Sequence, residues 1–445
     1  MRLLGLWLGA AFYWMGQLML PAGRPGRALA RAFLAQALWF DPHNHRARGY
    51  LDYLLGVRQT ERGEPEEGLR LLKRAAKALP EDSAVALDAG VAMTMGGEYA
   101  AAVTALTRLL SEHWLRVRGE RQLWFALAWS HVRLGQYPQA LKTAQEAAAA
   151  SVGTVQLRLV TLLAGGALAG EMDTAAIAGL LRTTPGLIAS ILEFTEQLAT
   201  AGQPALADQL VAVLPADVQR RGLQLVAASA MNRGAPQAAR WALDQQAARG
   251  EDARYLVLKS ELHLQEGDLP GALAAAEQAA EKSQGRDAAA QEQWGEVLLL
   301  MGREEEAFPH FVEALGHGSL SALAGGVVAM RLLEQGKPDG AKQVFRVSRT
   351  GAELGCAWAH AATAWIQADN DEVGESLELA ERAWAELLGL PAWAAQPATR
   401  RRLLTLLQGI VKRLEETARQ REKDEWAARA AKLRRKLEGA LRDED

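Results

Sequence analysis

A glycine followed five residues later by a second small residue recurs along this chain at near-constant spacing, and no other feature restricts the fold as much. The pairs are Gly63/Gly68, Gly97/Ala102, Gly135/Ala140, Gly170/Ala175, Gly202/Ala207, Gly234/Ala239, Gly267/Ala272, Gly302/Ala307 and Gly336/Ala341. A tenth position carries Asp369 in place of the glycine, with Gly374 after it. Successive steps of 34, 38, 35, 32, 32, 33, 35, 34 and 33 residues average 34. Each pair has a chemical reason. The first glycine ends a helix in a left-handed conformation that other residues adopt only at a cost. A proline suited to the first turn of the next helix then follows at Pro65, Pro138, Pro204, Pro236, Pro270 and Pro338. The small residue lets the second helix lie close against the first, and large side chains such as Trp124, Trp294 and Trp358 are expected to fill the seams. The 445 residues therefore divide by a helix–turn–helix unit rather than by a globular domain of ~150 residues.

The pattern resembles the tetratricopeptide repeat (TPR) family. Leu55-Gly56, Gly63, Gly68, Leu72, Ala75 and Pro80 carry it in one unit; Trp294-Gly295, Leu298, Gly302, Ala307, Phe311 and Ala314 carry it in another. It covers roughly residues 49 to 388, with degenerate units around Gly170 and Gly202 and a clear closing proline only at Pro80. The resemblance implies an all-α, right-handed α-solenoid of about ten to eleven TPR-like helix-turn-helix repeats with a C-terminal helical cap. Three segments are expected: an apolar helix at 1–22, the repeat array at 23–390 and a basic helical cap at 391–445. It further implies a non-enzymatic scaffold whose unit-leading helices line a concave, peptide-binding groove.

In the early units the groove positions are Tyr50, Tyr53 and Val57, then Leu87, Val91 and Met95, then Phe125, Trp129 and Val132, then Leu157 and Val160. Later units supply Arg221, Gln224, Asn232, Arg254, Glu261, Glu292 and Glu296. The early groove is thus expected to be apolar and aromatic and to receive an apolar peptide or helix. Tight curvature or self-association would close it instead.

Residues 3–20 hold 14 apolar residues, three glycines and Gln17, without charge, which is barely enough for a ~30 Å hydrocarbon core. Arg2 precedes the stretch and Arg24, Arg27 and Arg31 follow it, so a spanning helix would keep its C-terminal flank in the cytoplasm. The competing reading is the first helix of another repeat, with Gly23 and Ala28 as its pair. A cleaved secretory signal is a third, with weaker flanks.

Whole-chain charge is −3, but the chain from 391 onward carries +5 and the rest −8. Leu403, Leu407, Ile410 and Leu414, then Trp426, Ala430, Leu433 and Leu437, keep helical spacing. They fit a helix pair that caps the array. The alternative is a basic element docking on anionic lipid or nucleic acid through Arg400, Arg401, Arg402, Arg434, Arg435 and Lys436. Catalytic signatures are lacking, and one cysteine, Cys356, excludes a disulfide framework. Asp41, His43 and His45, Cys356 with His360, and His310 with His317 offer too few ligands at metal spacing, so no metal or cofactor is expected. Glycines 316, 318, 325 and 326 follow a helix and lack the lysine of a phosphate loop.

Overall fold

The computed structural model describes residues 2–20, 23–347, 358–365, 373–389 and 397–443; Cys356 and Asp369 lie outside them. The chain falls into two compact units, Met1–Pro215 and Ala216–Asp445. Unit 1 contains α1 (Arg2–Met19), α2 (Gly23–Phe40), α3 (His45–Glu61), α4 (Pro65–Ala78), α5 (Ser83–Met95), α6 (Tyr99–Val117), α7 (Arg121–Arg133), α8 (Tyr137–Ala149), α9 (Val155–Ala169), α10 (Thr174–Thr183), a 3₁₀ turn at Pro185–Leu187, α11 (Ile188–Thr200) and α12 (Pro204–Ala212). Unit 2 contains α13 (Ala216–Asn232), α14 (Pro236–Ala247), α15 (Ala253–Gln265), α16 (Leu269–Lys282), α17 (Ala288–Leu300), α18 (Glu304–Gly316), α19 (Ala322–Glu334), α20 (Pro338–Val347), α21 (358–365), α22 (Val373–Gly389), α23 (Pro397–Gln420) and α24 (Asp424–Asp443). No strand occurs among the described residues. The architecture is a TPR-like all-α repeat fold.

The nine glycines of the ladder all have φ between +68° and +83°, so each sits at the left-handed turn that closes a helix. Their partners Gly68, Ala102, Ala140, Ala207, Ala239, Ala272, Ala307 and Ala341 are buried, while Ala175 is exposed. The hairpin of α3 and α4 shows why the partner is small. A Cβ at Gly68 would stand 3.0 Å from the Gly56 carbonyl oxygen and 2.3 Å from the Thr60 hydroxyl, so the two helices touch backbone to backbone. Trp124, Trp358 and Phe311 fill seams and are fully buried. Trp294, eight residues before Gly302, is only partly covered and stacks on His310 at 3.9 Å.

Departures in spacing have local causes. The 38-residue step comes from α6, which runs 19 residues and continues through a non-helical His113 (φ −130°, ψ 29°). Steps of 32 coincide with α10 and α12, shortened to 10 and 9 residues.

Helix α1 pairs with α2 as the leading helix of a hairpin, its Gly16 facing Leu34. No helix among the described residues is long and apolar enough to cross a membrane, so the expected transmembrane span at residues 3–20 lacks support. The physical reason is apolarity rather than length: α1 runs 18 residues, but Arg2, Gln17, Tyr13 and three glycines among them dilute its hydropathy.

Candidate functional site

In unit 1 the leading helices α3, α5 and α7 carry the groove candidates. Tyr50 and Tyr53 are half-buried, and their hydroxyls donate to Asp82 at 2.7 Å and Asp88 at 2.8 Å on the next leading helix or its cap. Burial pushes both phenols up, with the neighbouring carboxylates adding to the effect. Asp88 is likewise raised by burial, partly offset by the bond from Tyr53. Asp82 also caps α5, accepting from the Ala84 and Val85 amides. Beside these pairs a cleft of about 420 Å³ is lined by Tyr13, Arg46, Tyr50, Asp82, Ser83 and Arg116. Val57 and Val91 are partly exposed and Met95 is fully so.

The other predicted positions are placed differently. Leu87, Trp129 and Val132 are buried, as are Leu157 and Val160, and Phe125 is partly covered, stacked on Trp129 at 6.1 Å. Helix α11, some 60 residues on, lies against this stretch. Gln197 donates to the Val132 carbonyl at 2.6 Å, Arg133 to the Glu193 carbonyl at 2.6 Å, and Phe194 meets Tyr137 edge-on at 6.0 Å. These contacts tie α11 to the end of α7 and to Tyr137. What stays accessible is the strip over α3 and α5, and it is lined by tyrosine–aspartate pairs as well as apolar side chains.

In unit 2, Gln224 is bound to Asp252 at 3.0 Å and Glu292 accepts from Ser319 at 2.9 Å. Glu296, one turn from Glu292, is pushed up to about 7 by burial and by the charges of Glu292 and Glu261. Glu261 is raised by burial, with Arg254 opposing.

The basic C-terminal residues mostly serve the cap. Arg402 donates to Glu304 at 3.0 Å and Glu334 at 2.6 Å, tying α23 to α18 and α19. Arg434 holds the buried Glu415 at 2.9 Å and Glu438 at 2.7 Å, and Arg429 holds Glu381 at 2.8 Å. Arg400 is partly covered, whereas Arg401, Arg435 and Lys436 face solvent.

The sequence's weaker candidates resolve into structural roles. The His43 amide donates to Asp41 at 3.3 Å in an exposed turn, His310 meets Gln291 at 2.8 Å, and His360 pairs with Glu386 at 2.9 Å. No group of three or more His, Cys, Asp or Glu among the described residues is placed to hold a metal ion. Gly318 makes a left-handed turn, and Gly326 packs inside α19 against Trp358. Sequence reasoning missed Asp88 as a groove residue, although it is the one charge within the otherwise uncharged α5.

No protein-family model matches the sequence, and a search of curated proteins returns no match. Among solved structures, the chain is similar to the APC/C hetero-tetramer Cut9–Hcn1, with a TM-score of 0.30, 10% identity, and coverage of 96% of this chain and 87% of that one. A human IFIT1 dimer with PPP-AAAA gives 0.30 at 14% identity, covering 88% of this chain and 91% of that one. A tetratricopeptide repeat protein from Parabacteroides merdae gives 0.27 at 15% identity, covering 63% of this chain and 97% of that one. At these scores the likeness carries no functional inference.

Proposed function

We propose that this TPR-like chain is a non-enzymatic scaffold that binds a partner protein through the strip over α3 and α5, at the cytoplasmic face of a membrane. The observation that carries the reading is the accessible combination of Val57, Val91 and Met95 with the Tyr50–Asp82 and Tyr53–Asp88 pairs. Apolar side chains on the strip would take the non-polar face of a peptide or helix, and the two aspartates would anchor its hydrogen-bond donors or cations. What supports this strip over the basic C-terminal helices as the contact is the commitment of Arg402 and Arg434 to two carboxylates each. Nucleic acid or anionic lipid would have to displace those pairs to reach either of these two arginines.

The test places a photo-crosslinking residue at Met95 and, as a control, at Arg435 in the full chain. The partner should be captured from Met95 and lost when Val91→Asp is added, with the helical content unchanged. Capture from Arg435 alone, or capture from Met95 indifferent to Val91→Asp, would overturn the proposal.

A further inference from the structure

The longest step of the ladder, 38 residues from Gly97 to Gly135, exceeds the mean of 34 by four residues, about one helical turn. Helix α6 takes up the surplus. It runs 19 residues where α4 has 14 and α8 has 13, and it continues through the non-helical His113. Arg116 lies in the turn beyond His113, and there it lines the cleft of about 420 Å³ beside Tyr50. The other walls come from Tyr13 on α1, Arg46 on α3 and the corner 79–83 that leads into α5. The cleft thus lies wholly within unit 1 and draws on four separate elements.

Its enclosed acceptor is largely engaged, and its donors are not. Asp82 accepts the Ala84 and Val85 amides on Oδ1 at 3.0 and 3.2 Å and the Tyr50 hydroxyl on Oδ2 at 2.7 Å, which fills three of about four lone-pair positions. The Tyr13 and Ser83 hydroxyls, by contrast, have no hydrogen-bond partner among the described residues. Arg116 has none either, because Glu112, one turn before it, is held by Arg108 at 2.7 Å. Arg46 stands 3.8 Å from Glu81, past hydrogen-bond distance, and Glu81 is 88% exposed, so that pair contributes little and exchanges readily. Other exposed arginines of unit 1, such as Arg70 and Arg108, are paired within their own helices. Two guanidiniums and two hydroxyls from different elements therefore face one cleft with their protons unengaged. Their complement is an oxyanion. Arginine presents parallel N–H groups that match phosphate oxygens, and the three oxygens of a phosphate can receive donors from several walls at once. The volume lies within the range of small-ligand sites, leaving room for an organic group against the Tyr13 and Tyr50 rings, whose centroids are 6.4 Å apart.

We propose that this cleft binds a phosphate monoester, with Arg116 and Arg46 holding the phosphate oxygens and the Ser83 and Tyr13 hydroxyls donating to them. The extra turn of α6 is what brings Arg116 to the site. The cleft adjoins the strip over α3 and α5 but does not rest on the reading given to that strip.

The experiment is calorimetric titration of the full chain, with thermal unfolding in parallel. The probes are inorganic phosphate, O-phosphoserine, and a short phosphoserine peptide with its unphosphorylated twin; acetate at equal ionic strength is the control anion. O-phosphoserine should bind and raise the melting temperature, whereas acetate and the unphosphorylated peptide should do neither. Arg116→Gln should weaken O-phosphoserine by about tenfold or more, the loss of a charge-assisted contact, and Arg46→Gln and Ser83→Ala by less. Arg70→Gln, on α4 and outside the cleft, should leave it unchanged. Arg116 and Arg46 are exposed, so circular dichroism should show both variants folded and a lost affinity reads the site itself. Tighter binding of the phosphopeptide than of O-phosphoserine supports a phosphate carried by a partner protein, and the reverse order supports a free small molecule. Binding of no phosphate probe, equal binding of acetate, or undiminished affinity in Arg116→Gln would overturn the proposal. So would binding of inorganic phosphate without O-phosphoserine, which would mark an adventitious ion only. Crosslinking from Met95 is run without phosphate, so its loss bears on the peptide strip alone.

Discussion

Replacing Glu296 by glutamine should make the protein more stable at alkaline pH and leave it unchanged at acid pH. Glu296 lies on α17 near Glu292, one turn away, and Glu261 on α15, and among the described residues no cation is paired with it. Burial and the two like charges raise its pKa from the ordinary 4.5 to about 7. The sign follows from proton binding. Between these values the folded chain holds a proton that the unfolded chain has released, so stability falls as pH rises through that window. At about 1.4 kcal/mol for each pKa unit, the ionised side chain costs the fold about 3 kcal/mol above the upper value; residual hydration reduces this to about 1–3 kcal/mol. Glutamine keeps the shape and removes the charge. Spread over a unit of this size, the gain corresponds to a melting temperature higher by about 3–10 °C at about pH 8.5, vanishing near about pH 4.5. Thermal unfolding followed by circular dichroism at both pH values measures it. Glu292→Gln should recover part of the same gain, and the two changes should add to less than their sum, because each relieves the same repulsion. An equal gain at both pH values, or a loss at the alkaline one, would refute the argument that Glu296 carries an uncompensated charge.

Two further perturbations probe the seams and the cap. Trp124→Ala empties a fully buried site and should cost about 3–5 kcal/mol, whereas Trp124→Phe should cost less, chiefly by stranding the Arg118 carbonyl that accepts from the indole at 2.8 Å; urea denaturation of both variants separates cavity from hydrogen bond. Arg434→Met leaves the buried Glu415 with Arg419 as its remaining partner and should lower the urea midpoint, while adding Glu415→Leu should recover much of the loss. A double-mutant cycle showing no coupling would mean the pair is solvated in the folded state.

The repeat was legible because its two requirements are local. A left-handed turn and a close helix approach each restrict residue choice at one position, so Gly63 or Ala102 announces its role without its neighbours. The cap was legible for a related reason: Leu403, Leu407, Ile410 and Leu414 share one helix face, and that face is buried. The burial of Trp129 and Val132 was not legible, and neither was the contact of α11 with the end of α7, made from some 60 residues away through Gln197 and Arg133. The tyrosine–aspartate pairs were half legible. Tyr50 and Asp82 are 32 residues apart and Tyr53 and Asp88 are 35 apart, close to one repeat. Residues one period apart occupy neighbouring leading helices, so the period that defines the fold also predicts partners across it.

The same reasoning accounts for the first helix, where hydropathy gave two readings and geometry relates them. A lipid-spanning helix is apolar all round and needs no particular face, whereas a hairpin helix must place small residues on one side. In α1, Gly9 and Gly16 fall on the side facing α2, and Trp7, Trp14 and Leu18 fall on the other. A count of apolar residues treats both faces alike and so suggests a span, although the helix as a whole is not apolar enough for one. Separated by face, Gly9, Phe12 and Gly16 are taken up by the contact with α2, and only the outer stripe of Trp7, Trp14 and Leu18 stays exposed.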